Sequence, residues 1–98
     1  MANICDNTMY VESENRENLD TVIKWFNENI MADIDDNGDC LDIFFDSRWT
    51  FPESLMQELF EIIPDKSDIY MRCLSVEYGC DYVAYYKCTG PEGWQQLV

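Results

Sequence analysis

The residues best suited to chemistry lie between positions 33 and 39. Asp33-x-Asp35-x-Asn37-Gly38 copies the first half of a calcium loop, with oxygen ligands at alternate positions and a glycine where such a loop turns sharply. Its second half is missing, because Phe44 stands where the bidentate carboxylate belongs, and a hairpin turn accounts for the same residues. The reading therefore expects no resident metal, with Asp33, Asp35, Asn37 and Asp39 as the set a calcium ion would use. Five cysteines offer a second set. Cys73, Cys80 and Cys88, with Cys40 as a fourth ligand, would make a tetrahedral zinc site if the fold gathered them. However, they lack the paired two-to-four-residue spacing of such sites and read as small buried hydrophobes.

Catalysis has few candidates. The chain has no histidine, which rules out nucleophile-histidine triads, and no glycine-rich phosphate loop occurs. Carboxylates abound, but no pair among them is distinguished by its surroundings. The expectation is a protein that is not an enzyme, with no catalytic residue and no cofactor.

What the chain has in excess is negative charge: 20 Asp and Glu against six Lys and Arg, a formal net charge of −14 in 98 residues. Nucleic acid and anionic membranes would be repelled at close range, within a Debye length of about 8 Å. A basic protein surface is the natural complement. Duplex DNA carries one charge per ~1.7 Å, so fourteen charges correspond to ~24 Å of duplex, near the width of a domain this size. That match makes nucleic-acid mimicry one form such binding would take. The nominated patch is Glu12, Glu14, Glu17, Asp20, Asp33, Asp35, Asp36 and Asp39. Arg48-Trp49 and the tyrosines Tyr78, Tyr82, Tyr85 and Tyr86 are further contact candidates, although strand and core packing explains most of them.

These side chains must be carried by regular elements, and periodicity supplies them. Residues 3–12 alternate, with Met9 and Val11 on one face and Thr8 and Tyr10 on the other, which predicts a strand. Ser13 to Asn15 offer caps for a helix whose stripe is Leu19, Val22, Ile23, Phe26 and Ile30. Asn37-Gly38 predicts a type I′ turn, either in a short hairpin or in a loop entering a strand over Cys40 to Phe45. Thr50-Phe51-Pro52-Glu53 reads as a capping box, opening a helix with Leu55, Met56, Leu59, Phe60 and Ile63 inward and Pro64 at its end. Strands over 68–77 and 81–88 follow, and the tail is a loop pinned by Trp94 or a short edge strand.

This order predicts one α+β domain over 1–98: a ferredoxin-like fold, with an antiparallel sheet of about four strands and two helices packed on one face. With no apolar stretch near the ~18 residues a membrane span needs, no signal peptide and an odd cysteine count, the expected location is the cytoplasm.

Three segments carry a resemblance: Met1-Ala2-Asn3-Ile4-Cys5-Asp6-Asn7-Thr8-Met9-Tyr10-Val11, Phe45-Asp46-Ser47-Arg48-Trp49-Thr50-Phe51-Pro52, and Leu74-Ser75-Val76-Glu77-Tyr78-Gly79-Cys80-Asp81-Tyr82. With its Asn-x-Cys-x-Asn start, Trp-Thr-x-Pro segment and Glu-x-Gly turn, the chain resembles the YubB-type ferredoxin-like family of small proteins from plasmids, phages and other mobile elements. The resemblance implies a ferredoxin-like fold and a mobile-element setting, and carries over no catalytic residue. The resulting expectation is a non-enzymatic acidic protein, monomer or homodimer, that engages a basic surface of a host or defence protein. The alternatives are a metal-binding or metal-stabilised domain and a domain that self-associates.

Overall fold

The computed structural model describes residues 4–79 and 81–98. Its elements are β1 (Ile4–Glu12), α1 (Arg16–Asn29), β2 (Ala32–Asp36), β3 (Cys40–Arg48), α2 (Glu53–Ile62), β4 (Tyr70–Glu77), β5 (Tyr82–Thr89) and β6 (Gly93–Gln96). All six strands join one sheet in the order β2-β3-β1-β4-β5-β6, every neighbouring pair antiparallel. The α+β class matches the expectation, but the four-stranded ferredoxin-like sheet is corrected to six strands. Two segments account for the difference. Residues 32–36 form a strand against 41–45, because Ala32 and Ile34 pack toward the core while the intervening aspartates face away. The tail pairs Gly93–Gln96 with Tyr86–Thr89, and Trp94 closes it down by donating its indole N–H to the Met56 carbonyl at 2.9 Å.

Burial explains why the strands hold together. Met9 and Val11 of β1, Leu41, Ile43 and Phe45 of β3, Met71 and Cys73 of β4, and Ala84, Tyr86 and Cys88 of β5 share one core with Leu19, Val22, Trp25 and Phe26 of α1 and Met56, Leu59 and Phe60 of α2. Each fully buried Leu, Ile, Val or Met stabilises the fold by roughly 1.5–3 kcal/mol relative to exposure. Both helices cover the same side of the sheet. No helix among the described residues is long and apolar enough to cross a membrane.

Local signals held unevenly. Asn15 caps α1, its side chain accepting from the Glu17 amide at 3.0 Å. The Thr50 capping box does not form: Pro52 occupies the cap without a side-chain bond, the Thr50 hydroxyl turns to the Phe51 carbonyl, and Glu53 accepts from the Tyr86 hydroxyl at 3.0 Å. A tertiary partner has displaced the local one. At the hairpin, Gly38 alone has positive φ (96°), with Asn37 and Cys40 facing each other across the turn. That is the sign pattern of a type II′ turn with glycine first, one residue out of phase with the type I′ turn expected.

Two polar ties fix the helices. Arg16, at the start of α1, donates to Asp20, to both carboxylate oxygens of Asp36 and to the Gly38 carbonyl, anchoring the helix to the β2–β3 turn. This guanidinium, helped by the Gly38 amide, holds the Asp36 carboxyl down at about 2. Asn18, fully buried in α1, donates to the carbonyls of Asp65 (2.8 Å) and Asp68 (2.9 Å) and accepts from the Asp65 amide (2.9 Å), tying α1 to the α2–β4 loop. Asn18→Ala strips these groups of partners in a dry site and is expected to cost about 2 kcal/mol, an unfolding midpoint lower by about 10 °C in a calorimetric melt. Asn27→Ala, on the exposed side of the same helix, should stay within about 0.5 kcal/mol. Because Asp36 has a lower pKa folded than unfolded, its tie stabilises fully above about pH 4 and is lost as pH falls toward 2. Melts of Asp36→Asn across that window should show a shallower loss of stability than the unmodified chain.

Candidate functional site

Strand alternation gives the sheet a second side that no helix covers. Register sets its outward residues in a grid. A central row runs Asp33, Phe44, Thr8, Leu74, Tyr85 from β2 through β3, β1 and β4 to β5. On one flank lies the row Asp35, Asp42, Tyr10, Arg72, Lys87, and on the other Asp46, Asp6, Val76, Val83. Phe44 is 45% exposed, Leu74 41% and Val83 55%, so the β3–β5 part of the central row, interrupted by Thr8, and one corner present apolar groups to solvent. Glu12 extends the acidic end of β1, beside Cys40 and Tyr70.

Charge on this face is segregated. Asp6, Glu12, Asp33, Asp35, Asp42 and Asp46 occupy β1, β2 and β3, joined there by Arg48 at the end of β3, whereas Arg72 and Lys87 occupy β4 and β5. Two of the cross-strand pairs are aspartate on aspartate, Asp35 opposite Asp42 and Asp6 opposite Asp46. Side chains so placed have Cβ atoms about 5 Å apart, and like charges there are destabilising. The ion pairs among the described residues are those of Arg16 with Asp20 and Asp36; Arg48, one row beyond Asp46 on the same face, forms none with either couple. The nearest relief is the Asn37 amide, which donates to Asp42 at 3.2 Å. Arg72 is stacked instead, its guanidinium 4.2 Å from the Tyr10 ring centre and 5.7 Å from that of Tyr70. The imbalance extends to the whole chain. Residues 1–52, which build the β2-β3-β1 half, hold twelve acidic and three basic side chains, a formal −9; residues 53–98 hold eight and three, a formal −5.

The nominated acidic residues fall into two groups. Glu12, Asp33 and Asp35 lie on the uncovered face, where they join Asp6, Asp42 and Asp46, which sequence reasoning passed over. Glu17 and Asp20 ride the exposed side of α1, Asp36 is taken up by Arg16, and Glu14 and Asp39 sit exposed in the connections before α1 and between β2 and β3. The missed aspartates were within reach of the sequence. Asp6 and Asp42 have the strand parity opposite to the buried residues of β1 and β3, and that parity marks them as outward.

The metal sets are not assembled. Asp33 and Asp35 point outward from an extended strand, Asn37 engages Asp42, and Asp39 lies in the turn, so the chain does not wrap around one point. Cys40 belongs to the uncovered side, while Cys73 and Cys88 are buried on the other; Cys80 lies outside the described residues. Among the described residues no three His, Cys, Asp or Glu side chains converge to hold an ion. Burial pushes the Cys73 and Cys88 thiols up to about 12, which leaves them protonated and packed as hydrophobes.

The three segments singled out in the sequence do meet, at one end of the covered side. Asn7 accepts from the Ser75 hydroxyl at 2.6 Å and donates to the Ser47 hydroxyl at 2.9 Å, and the Ser47 hydroxyl in turn donates to the Thr50 carbonyl at 2.7 Å. Glu77, also buried, accepts from the Gly79 amide at 2.7 Å. Desolvation is the largest cause that raises the pKa of the neighbouring Cys5. The cluster's work is positional: it ties down the β3–α2 loop, in which Trp49 is held half-exposed at a φ of 70°. The tyrosines do not form one patch, since Tyr85 faces outward and Tyr86 stacks on Phe51 at 3.8 Å in the core. No family model matches the chain, and searches of curated proteins and of solved structures return no match.

Proposed function

We propose that this chain is a non-enzymatic binding protein whose uncovered sheet face engages a basic protein surface, with the β2-β3-β1 half supplying the contact. The observation that carries the reading is the pair of unneutralised aspartate couples, Asp35 with Asp42 and Asp6 with Asp46, set side by side on the face that no helix covers. Each couple costs the isolated fold up to about 1 kcal/mol, and among the described residues no ion pair offsets it. A lysine or arginine brought by a partner would turn that repulsion into attraction, so binding would recover energy that folding leaves unused.

The same charges argue against a nucleic acid or an anionic lipid surface as a direct partner. They suit a protein that itself handles nucleic acid, whose surface is basic for that purpose, and in that form the acidic half acts as a nucleic-acid mimic. On this reading the target is a host or defence protein, in the mobile-element setting that the YubB-type resemblance implies.

Neutralising one member of each couple separates stability from binding. Asp42→Asn and Asp46→Asn are each expected to stabilise the chain by about 0.5 kcal/mol, raising its melting midpoint by a few degrees. The double variant should bind polylysine at least several-fold more weakly at low salt. Raising salt should shrink both differences, because screening acts on the same charges. Unchanged or lower midpoints in the variants, with unchanged polylysine binding, would remove the reading.

A further inference from the structure

The uncovered face holds more than charge, and its pattern specifies the shape of what binds there. The ridge of Phe44, Leu74 and Tyr85, with Thr8 in the β1 position between the first two, crosses four strands, from β3 to β5, at right angles to them. With strands ~4.8 Å apart the ridge is ~14 Å long, about ten residues of α-helix at 1.5 Å each. Carboxylates flank its β3–β1 end on both sides, Asp42 on one and Asp46 with Asp6 on the other, each row two residues and so ~7 Å from the ridge. A rod 10–12 Å across, seated on the ridge, reaches both flanks at once; an extended segment presents its side chains along one line and does not.

Resting on the basic-partner reading above, we infer that the occupant is an amphipathic basic helix of a partner protein, laid across the strands with leucine-like residues on Phe44, Leu74 and Tyr85 and lysines or arginines on both flanks toward β3 and β1. Direction follows from charge. At the β4–β5 end one flank carries Arg72 and Lys87 and the other Val76 and Val83. The negative end of a helix dipole belongs beside those cations, and the positive end beside Asp42 and Asp46. The helix therefore runs with its N-terminus toward β2 and its basic residues in its N-terminal half. A second copy of this chain is a poor occupant, because each copy brings a formal charge of −14.

The probe is an 18-residue synthetic peptide with leucines spaced three and four apart and lysines on both flanks of its first half. It is compared by calorimetric titration with a scrambled peptide of identical composition and with one whose lysines lie in the second half. The amphipathic peptide should bind at least tenfold more tightly than the scrambled one and about threefold more tightly than the reversed one. Leu74→Ser, at a position already 41% exposed, should erase that preference while circular dichroism shows an intact fold. The Asp42→Asn, Asp46→Asn double variant should weaken both the amphipathic and the scrambled peptide. Equal binding of amphipathic and scrambled peptides, still lowered by the aspartate variants, would overturn the helix and leave the basic-partner reading standing. Absence of binding by every peptide would overturn both. A homodimer that Leu74→Ser dissolves would assign the face to a second copy and likewise overturn the inference.

Discussion

A β-strand sends successive side chains to opposite sides, and here only one side is covered. That constraint decides almost everything else in the molecule. Because α1 and α2 both pack on the same face, the residues at 5, 7, 9 and 11 of β1, or 71, 73, 75 and 77 of β4, must all be compatible with a dry interior. Their neighbours are released from that requirement, and they are the residues on which acid, base and exposed apolar groups are sorted into zones. A slip of one residue in any strand would exchange the two sets.

The interior tolerates polar groups only where they are fully engaged. Asn7 and Asn18 are the clearest cases, each using its amide as donor and acceptor toward segments distant in sequence, and no buried side-chain nitrogen or oxygen among the described residues lacks a partner. These bonds do what apolar contacts cannot, since they fix particular loops in particular places. Asn18 registers the α2–β4 loop against α1, and Asn7 with Ser47 sets the geometry of the loop bearing Trp49. The uncovered face follows the opposite rule, with Asp6 against Asp46 and Asp35 against Asp42 left in conflict. A chain that satisfies its described buried polar atoms this completely, yet sets like charges side by side outside, leaves that tension on a surface that others can reach.

Periodicity made most of the elements legible. The stripes of α1 and α2, the alternation of β1 and β4, and Asn15 as a cap lie within a few residues of one another along the chain, and local patterns report them. What escaped depends on partners far away in sequence. Glu53 looked like half of a capping box until Tyr86, 33 residues on, claimed its carboxylate. The acidic patch was read from the density of charge along the chain, which favoured Glu14, Glu17 and Asp36; the face that forms depends on which strands become neighbours, and that brings in Asp6, Asp42 and Asp46 instead. The tail looked ambiguous because four residues with one tryptophan are too short a sample of any period, and the Met56 carbonyl that receives the Trp94 indole lies on another element.

The outer boundaries of the sheet have a consequence of their own. A row of unpaired backbone groups invites foreign strands to add on, and an exposed apolar ridge nearby would make such stacking cumulative. One border is β2, only five residues long and bearing Asp33, Asp35 and Asp36; the other is β6, with four. Any strand approaching the first meets fixed negative charge, and the second is too brief to template much pairing. Both borders of the sheet thus discourage the edge-to-edge addition that would lead to fibrous polymers.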